Sequence, residues 1–370
     1  MRDRSITLLN NQGLDQHGGG VRILERLAAH FAGRNTVRII AETEARDRPF
    51  EQRTYPPAPA PRGPSWRWQP LRKVRHLARV VPPLCAGADV VICLDPHFVA
   101  AVAEIRPRLC VYVSLSAVPR QEWFSERGAT ALLRAVMYAW IERRMLKRAD
   151  LRIVASRFQA REIRRFELLP GFAPLVLPPV FPVPGAVRTS AAEPHMVLVV
   201  ARLVALKNVE RVIELAELTR DLDCRFVIVG DGDRREALER RARPLGDRVH
   251  FAGGVEAGPF YREATLLLHM SRYESYGISL VEAMQHGVVP LCGAPGRRCR
   301  TATAEIVVDG VSGLWFDLDD LGAAERALRQ LLGDPARRAA LAAGALARAR
   351  ELLSRDYGGE LERVLEGAAR

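Results

Sequence analysis

The chain predicts an α/β protein made of two doubly wound, Rossmann-like parallel-sheet domains facing a cleft. Three observations carry that expectation. Short apolar runs alternate with helical patterns along the chain, the βαβ rhythm of parallel sheets. The rhythm is interrupted by a proline-dense stretch, Leu177-Pro-Pro-Val-Phe-Pro-Val-Pro-Gly185, and then restarts. The 370 residues are too many for one ordinary core and suit two. The domains are therefore expected at 1–182 and 194–353, joined by a semi-rigid proline-rich linker, with a last helix over 354–370 packing back on the first.

In the first domain, strands are expected at 6–10, 37–41, 90–94, 109–113 and 151–155. Gln16-His17-Gly18-Gly19-Gly20 follows the first of them and opens a helix. Glycines there let backbone approach a ligand closely, and a helix start suits a phosphate or sugar oxygen. The stretch Tyr55 to Pro64 is too rich in proline for a helix or central strand and reads as an exposed loop. Leu71, Val74, Ala78 and Val81 then fall at helical spacing among Arg72, Lys73, Arg75 and Arg79, behind Trp66 and Trp68. Two readings fit: a helix packing its apolar stripe on the sheet, or a segment lying on an anionic membrane. His97, in Asp95-Pro-His97, reads as a polar loop residue.

In the second domain, strands are expected at 196–201, 225–229, 249–252, 266–269 and 288–292, with helices at 234–243, 320–332 and 335–353. Composition bounds the class. Hydrophobic content of 48% with 26% charged residues is globular. Cys85, Cys93, Cys110, Cys224, Cys292 and Cys299 are scattered without a Cys-x-x-Cys pair, which favours buried reduced thiols over a metal site or disulfides. No signal pattern or membrane-length apolar run is present, so a cytoplasmic protein is expected. Residues 1–190 carry 30 Lys and Arg against 16 Asp and Glu, so the whole basic excess lies in the first half. That asymmetry suits an anionic partner such as a membrane surface. Nucleic acid is a poor candidate, because aromatics are only 6% and no zinc or RNA-recognition motif appears.

The chemistry concentrates after residue 200. Arg202 and Lys207 lie at the carboxyl end of the 196–201 strand, where two cations neutralise a diphosphate, and Asn208 is expected to cap the next helix. Gly230-Asp-Gly232 makes the turn after the next strand. Glu274 and Glu282 stand seven residues apart with Gly277 between them, Glu274 in a loop after a strand and Glu282 about two turns into a helix over 278–286. The amides of Gly277, Ile278 and Ser279 open that helix and favour an anion. Amides for a phosphate flanked by carboxylates for hydroxyl groups suit a nucleotide sugar. Asp317-Leu-Asp-Asp320 precedes a helix and reads as a cap rather than a metal site.

The stretch from Glu274 to Pro290 resembles the signature of the family 4 retaining glycosyltransferases, a Glu-x7-Glu pair followed by Ala-Met and a tight turn. Arg202-x4-Lys207, Gly230-x-Gly232, Val249 to Gly253, Glu305 to Gly313 and the Gly18-Gly19 loop resemble further elements of that family, so the likeness covers nearly the whole chain. It implies the GT-B fold and retaining, metal-independent transfer of a hexosyl group from a UDP- or GDP-sugar, without a cofactor. The acceptor would be a glycan, a lipid-linked or a small-molecule hydroxyl, and contact with an anionic membrane would be peripheral, at its inner face. It also implies that Arg202 and Lys207 bind the donor diphosphate, Glu282 the ribose and Glu274 the donor sugar. Gly18, Gly19, Gly230, Gly277, Ile278 and Ser279 would complete the donor site. The chain departs from the family at Ser114 and Ser116, which stand where many relatives carry a histidine.

Overall fold

The structure, a computed structural model, describes residues 3–11, 14, 19–44, 50–59, 68–115, 129–166, 171–183 and 195–368. The chain divides into two compact units, Met1–Pro179 with Tyr357–Arg370, and Val180–Asp356.

In the first unit β1 (Ser5–Leu9), α1 (Gly19–Ala32), β2 (Thr36–Ala41), β3 (Glu51–Thr54), α2 (Gln69–Val80) and β4 (Val90–Cys93) come first. They are followed by α3 (Val99–Ile105), β5 (Leu109–Ser114), α4 (Ala129–Arg148), β6 (Leu151–Val154), α5 (Arg157–Phe166) and β7 (Leu175–Val176). The seven strands form a parallel sheet in the order β3-β2-β1-β4-β5-β6-β7. Its central strands are buried on both faces, which is why they read as unbroken apolar runs. The edge strand β3, Glu-Gln-Arg-Thr, has no apolar signal. Ion pairs of Glu51 with Arg38 at 2.9 Å and with Arg53 at 2.7 Å accompany it instead.

The structure decides between the two readings of α2. Val74 and Leu77 are buried in the first core and Val81 follows them inside, while Arg72, Arg75 and Arg79 face outward. This stripe is spent on the sheet and is not a membrane surface. Residues 55–59 of the proline-rich stretch lie outside helix and strand, but Tyr55 is buried rather than exposed, its hydroxyl donating to Asn10 O (3.1 Å), and residues 60–64 and Trp66 lie outside the described residues. All six cysteines are free and buried, as expected.

The second unit starts earlier than the expected linker end: Val183 N–H donates to Gln285 Oε1 (2.8 Å), and Gln285 Nε2 donates to Phe181 O (3.1 Å). It runs β8 (His195–Val200), α6 (Val209–Leu218), β9 (Cys224–Val229), α7 (Arg235–Ala242), β10 (Val249–Gly253), α8 (Gly258–Glu263) and β11 (Leu266–His269). Then come β12 (Tyr273–Glu274), α9 (Ile278–Gln285), β13 (Val289–Gly293), β14 (Arg300–Thr301), β15 (Leu314–Phe316), α10 (Leu321–Gly333) and α11 (Pro335–Leu353). Six strands form a second parallel sheet, β10-β9-β8-β11-β13-β15, and β12 pairs with β14 separately. The final helix, α12 (Tyr357–Ala368), returns to the first unit. There Gly358 lies against the His30 ring, and Glu362 pairs with His30 at 3.4 Å.

Candidate functional site

The order of the second sheet reverses between β8 and β11, and ligands of such sheets bind outside the carboxyl ends of the strands at that reversal. The loops leaving β8 and β11 carry Arg202, Lys207 and Glu274. The sequence pairs none of these residues; the parallel register does.

The loop after β8 is held by backbone. Ala201 N–H donates to Val229 O (3.1 Å), Leu203 N–H to Asp231 O (2.8 Å), and Arg234 N–H to Leu203 O (3.0 Å). Gly230 and Gly232 make this possible. A Cβ on Gly230 would lie 1.9 Å from Ala201 O, and one on Gly232 would lie 2.5 Å from Leu203 O. Gly230 also has a φ of 144°, which a side chain disfavours. The glycine turn thus clamps the residues on both sides of Arg202, whose side chain is exposed. Gly230→Ala is expected to destabilise the second unit by about 2–4 kcal/mol through clash and backbone strain. Thermal unfolding reads this, and an unchanged melting temperature would refute the clamp.

Lys207 ends a 3-10 turn (Ala205–Lys207), and Asn208 follows in the left-handed region at φ 57°. Asn208 occupies the N-cap position of α6, but its side chain makes no capping bond, contrary to the sequence expectation. The left-handed backbone turns the chain there instead. Lys207 Nζ donates to Glu274 Oε2, and both side chains are largely buried. His269, the last residue of β11, brings Nε2 to 3.6 Å from the same oxygen. Burial acts to raise the Glu274 carboxyl's pKa, but the Lys207 charge and then His269 outweigh it and hold it well below the usual carboxylate range. Glu274 lies in a short strand rather than a free loop: Arg300 N–H donates to Arg272 O (2.8 Å), and Ala302 N–H to Glu274 O (3.0 Å).

Gly277 then turns the chain into α9 with a φ of 106°. Ile278 and Ser279 form the first turn of α9, where helical amides lack internal partners. Glu282 rests on a different support from Glu274. The buried Tyr261 hydroxyl donates to Glu282 Oε2 (3.1 Å), and its ring stacks on His286 with centroids 5.3 Å apart. His286 Nδ1 in turn donates to Glu282 O (2.9 Å). The two carboxylates therefore stand in distinct surroundings, one against a cation and one against a phenol.

His269 and Tyr261 were missed by the sequence reading. A histidine closing an apolar strand was a usable signal for the first; nothing in the local pattern marks the second. The acidic run after β15 goes into local structure: Asp317 Oδ1 accepts from Asp319 N–H (3.0 Å), and Asp319 pairs with Arg272 (3.3 Å) and Arg298 (3.6 Å). Asp320 holds the N-cap position of α10, but its side chain makes no capping bond, contrary to the sequence expectation. Gly18 and Ser116 lie outside the described residues, and Gly19 begins α1. Ser114 is buried and occupied: its Oγ donates to Glu142 Oε1 (3.1 Å) and accepts from Gln159 Nε2 (3.0 Å).

Two family models divide the chain between them. "Glycosyl transferase 4-like domain" matches residues 18–179, and "Glycosyl transferases group 1" matches residues 186–348. Among curated proteins, alpha-D-kanosaminyltransferase of Streptomyces kanamyceticus is 44% identical over 96 residues, 24% of this chain and 25% of that protein. A GDP-mannose-dependent alpha-(1-6)-phosphatidylinositol monomannoside mannosyltransferase of Mycolicibacterium smegmatis is 32% identical over 168 residues, 42% of this chain and 43% of that protein. The matched stretches span 16% to 43% of the curated relatives' own lengths. Among solved structures, sucrose-phosphate synthase of Thermosynechococcus elongatus superposes with a TM-score of 0.78 at 20% identity, covering 99% of this chain and 100% of that one. The fold is the GT-B fold.

Proposed function

We propose, from the premise that this chain belongs to the group 1 glycosyl transferases, that it transfers a hexosyl group from a UDP- or GDP-sugar to an acceptor hydroxyl with retention of anomeric configuration. The observation that carries this reading is the buried Lys207–Glu274 pair at the reversal point of the second sheet. A cation there takes the negative charge developing on a leaving diphosphate, helped by Arg202 and by the amides of Gly277, Ile278 and Ser279. Glu274, ionised and fixed, accepts hydrogen bonds from donor-sugar hydroxyls, and Glu282 accepts those of the ribose. The reading assigns no cofactor or metal, since cations and amides supply the charge. A hydrolysis and transfer screen over UDP- and GDP-sugars, with NMR of the product anomer, tests it. No turnover of any donor, an inverted product, or activity lost on chelation and restored by a divalent metal would contradict it.

For the acceptor, a lipid-borne hydroxyl is favoured by α4. Leu132, Leu133, Val136 and Trp140 are all exposed, the last two at 56% and 48%. At 3.6 residues per turn they share an arc of about 100°. Further along α4, Arg143, Arg144 and Lys147 continue that face, and the Arg144 guanidinium sits 4.5 Å over the Trp140 ring. An apolar stripe that becomes basic suits an anionic membrane surface. Among the described residues no helix is long and apolar enough to cross a membrane, so the proposed attachment is peripheral, at the inner face. Co-sedimentation with anionic vesicles is expected to be salt-sensitive and to fall at least about tenfold in Val136→Glu/Trp140→Glu, given about 1 kcal/mol per surface cation and comparable apolar terms. Vesicle binding unaffected by the substitutions, or absent in the parent protein, would leave a soluble acceptor.

A further inference from the structure

The first sheet has its own reversal point, between β1 and β4. Three side chains meet just past the carboxyl ends of those strands. Asn11 Nδ2 donates to Asp95 Oδ2 at 2.8 Å, and Asp95 Oδ1 accepts from both the backbone N–H (2.8 Å) and Nδ1 (2.6 Å) of His97. His97 is buried and packs edge-on against Tyr138, with ring centroids 5.1 Å apart. Two buried polar atoms of this cluster, His97 Nε2 and Asn11 Oδ1, have no hydrogen-bond partner among the described residues. A buried polar atom left unsatisfied is costly, and two in one cluster ask for an occupant.

The protonation pattern says what kind. Burial acts to raise the pKa of the Asp95 carboxyl, but His97 and Asn11 hold it down at about 2, so it is an acceptor only. His97 Nδ1–H therefore donates to it, and Nε2 is the ring atom left open. Asn11 spends its amide N–H on Asp95, and its orphan atom is the carbonyl oxygen. That oxygen can only accept, so the occupant must bring a donor to it. A phosphate dianion or carboxylate does not; a hydroxyl group does, and it can equally donate to or accept from Nε2.

We infer that Asn11, Asp95 and His97 form a sugar-hydroxyl site in the first unit, with Asn11 Oδ1 accepting from acceptor hydroxyls and His97 Nε2 hydrogen-bonded to them. The assignment of that sugar as the acceptor rests on the function proposed above. Asp95 is the positioning residue, fixing the histidine's tautomer and orientation. Ser114 does not compete for the role, because Glu142 and Gln159 already engage it.

Long-range proton–nitrogen NMR of the full chain tests the site without depending on a variant's stability, which enters only through His97→Gln to assign one of the eight histidines. The expected spectrum has Nδ1 protonated, with the Nε2 resonance shifting on titration with methyl α-glucoside, α-galactoside or α-mannoside and not with inorganic phosphate. In transfer assays His97→Gln should raise the acceptor KM about tenfold, the loss of one hydrogen bond, and change kcat by less. A response to phosphate, or a resonance that no glycoside moves, as a trapped water would give, overturns the site. UDP and GDP binding by calorimetry separates the two ideas. Nucleotide binding with a silent His97 defeats this inference alone, and glycoside binding without any nucleotide binding defeats the proposed activity alone.

Discussion

Lys207→Ala is expected to weaken binding of the preferred nucleoside diphosphate by about 1.5–3 kcal/mol, the range for hydrogen bonds to charged groups. That is roughly 10- to 150-fold in affinity. The same substitution leaves the buried Glu274 carboxylate with His269 as its remaining ion-pair partner among the described residues, so it also costs stability, and this second effect has a pH signature. In the parent protein the Glu274 carboxyl is held far below its ordinary value of 4.5. Its contribution is therefore full above pH 4.5 and is lost as the pH falls below that towards the folded-state value. The stability gap between parent and Lys207→Ala should be constant near neutrality and close on acidification. Calorimetric titration with UDP and GDP, and thermal unfolding from neutral to acid pH, check both halves. Unchanged affinity removes Lys207 from the donor site, and a gap that widens in acid removes the ion pair from the stability argument.

Glu274→Gln keeps the shape of the side chain and removes its charge. Turnover should fall about 100-fold or more, the scale seen when a preorganised polar group at a reacting centre is lost, while diphosphate affinity changes by less than about threefold. Glu282→Gln should do the reverse, because its carboxylate stands against Tyr261 and not against the cation. Steady-state kinetics with the best donor distinguish them. If both variants lost affinity and turnover together, the two carboxylates would not divide the donor between them.

Much of this was legible in the sequence, for a physical reason. Strands buried on both faces must be apolar throughout, so β1, β4, β5, β8, β9 and β11 announce themselves, and residues just past their ends fall where ligands bind. Arg202, Lys207 and Glu274 were picked out as candidates that way, and Glu282 by its spacing from Glu274. What stayed hidden depends on neighbours distant in sequence. That Lys207 meets Glu274, 67 positions away, depends on β8 pairing with β11. The support of Glu282 by Tyr261 and the joining of Asn11 to Asp95 across 84 positions are of the same kind. Edge strands escaped for the opposite reason. The side chains of β3 are intermediate or exposed, so nothing forced an apolar pattern on it. The reassignment of the exposed stripe from α2 to α4 teaches a similar lesson. Helical periodicity shows that a stripe exists and is silent on whether a sheet already covers it.

The return of α12 to the first unit has a consequence for how the protein is made. The second unit is one uninterrupted stretch, whereas the first is split around it. At about 5–20 residues per second, a ribosome takes roughly 10–35 s to synthesise the intervening stretch. Throughout that interval the His30 region of α1 is without the helix that later packs on it. The later-made unit has all its residues first, so the usual amino-to-carboxyl order of domain completion is inverted. During each round of synthesis, the half-finished first unit is where a nascent-chain chaperone or a protease would find exposed apolar surface.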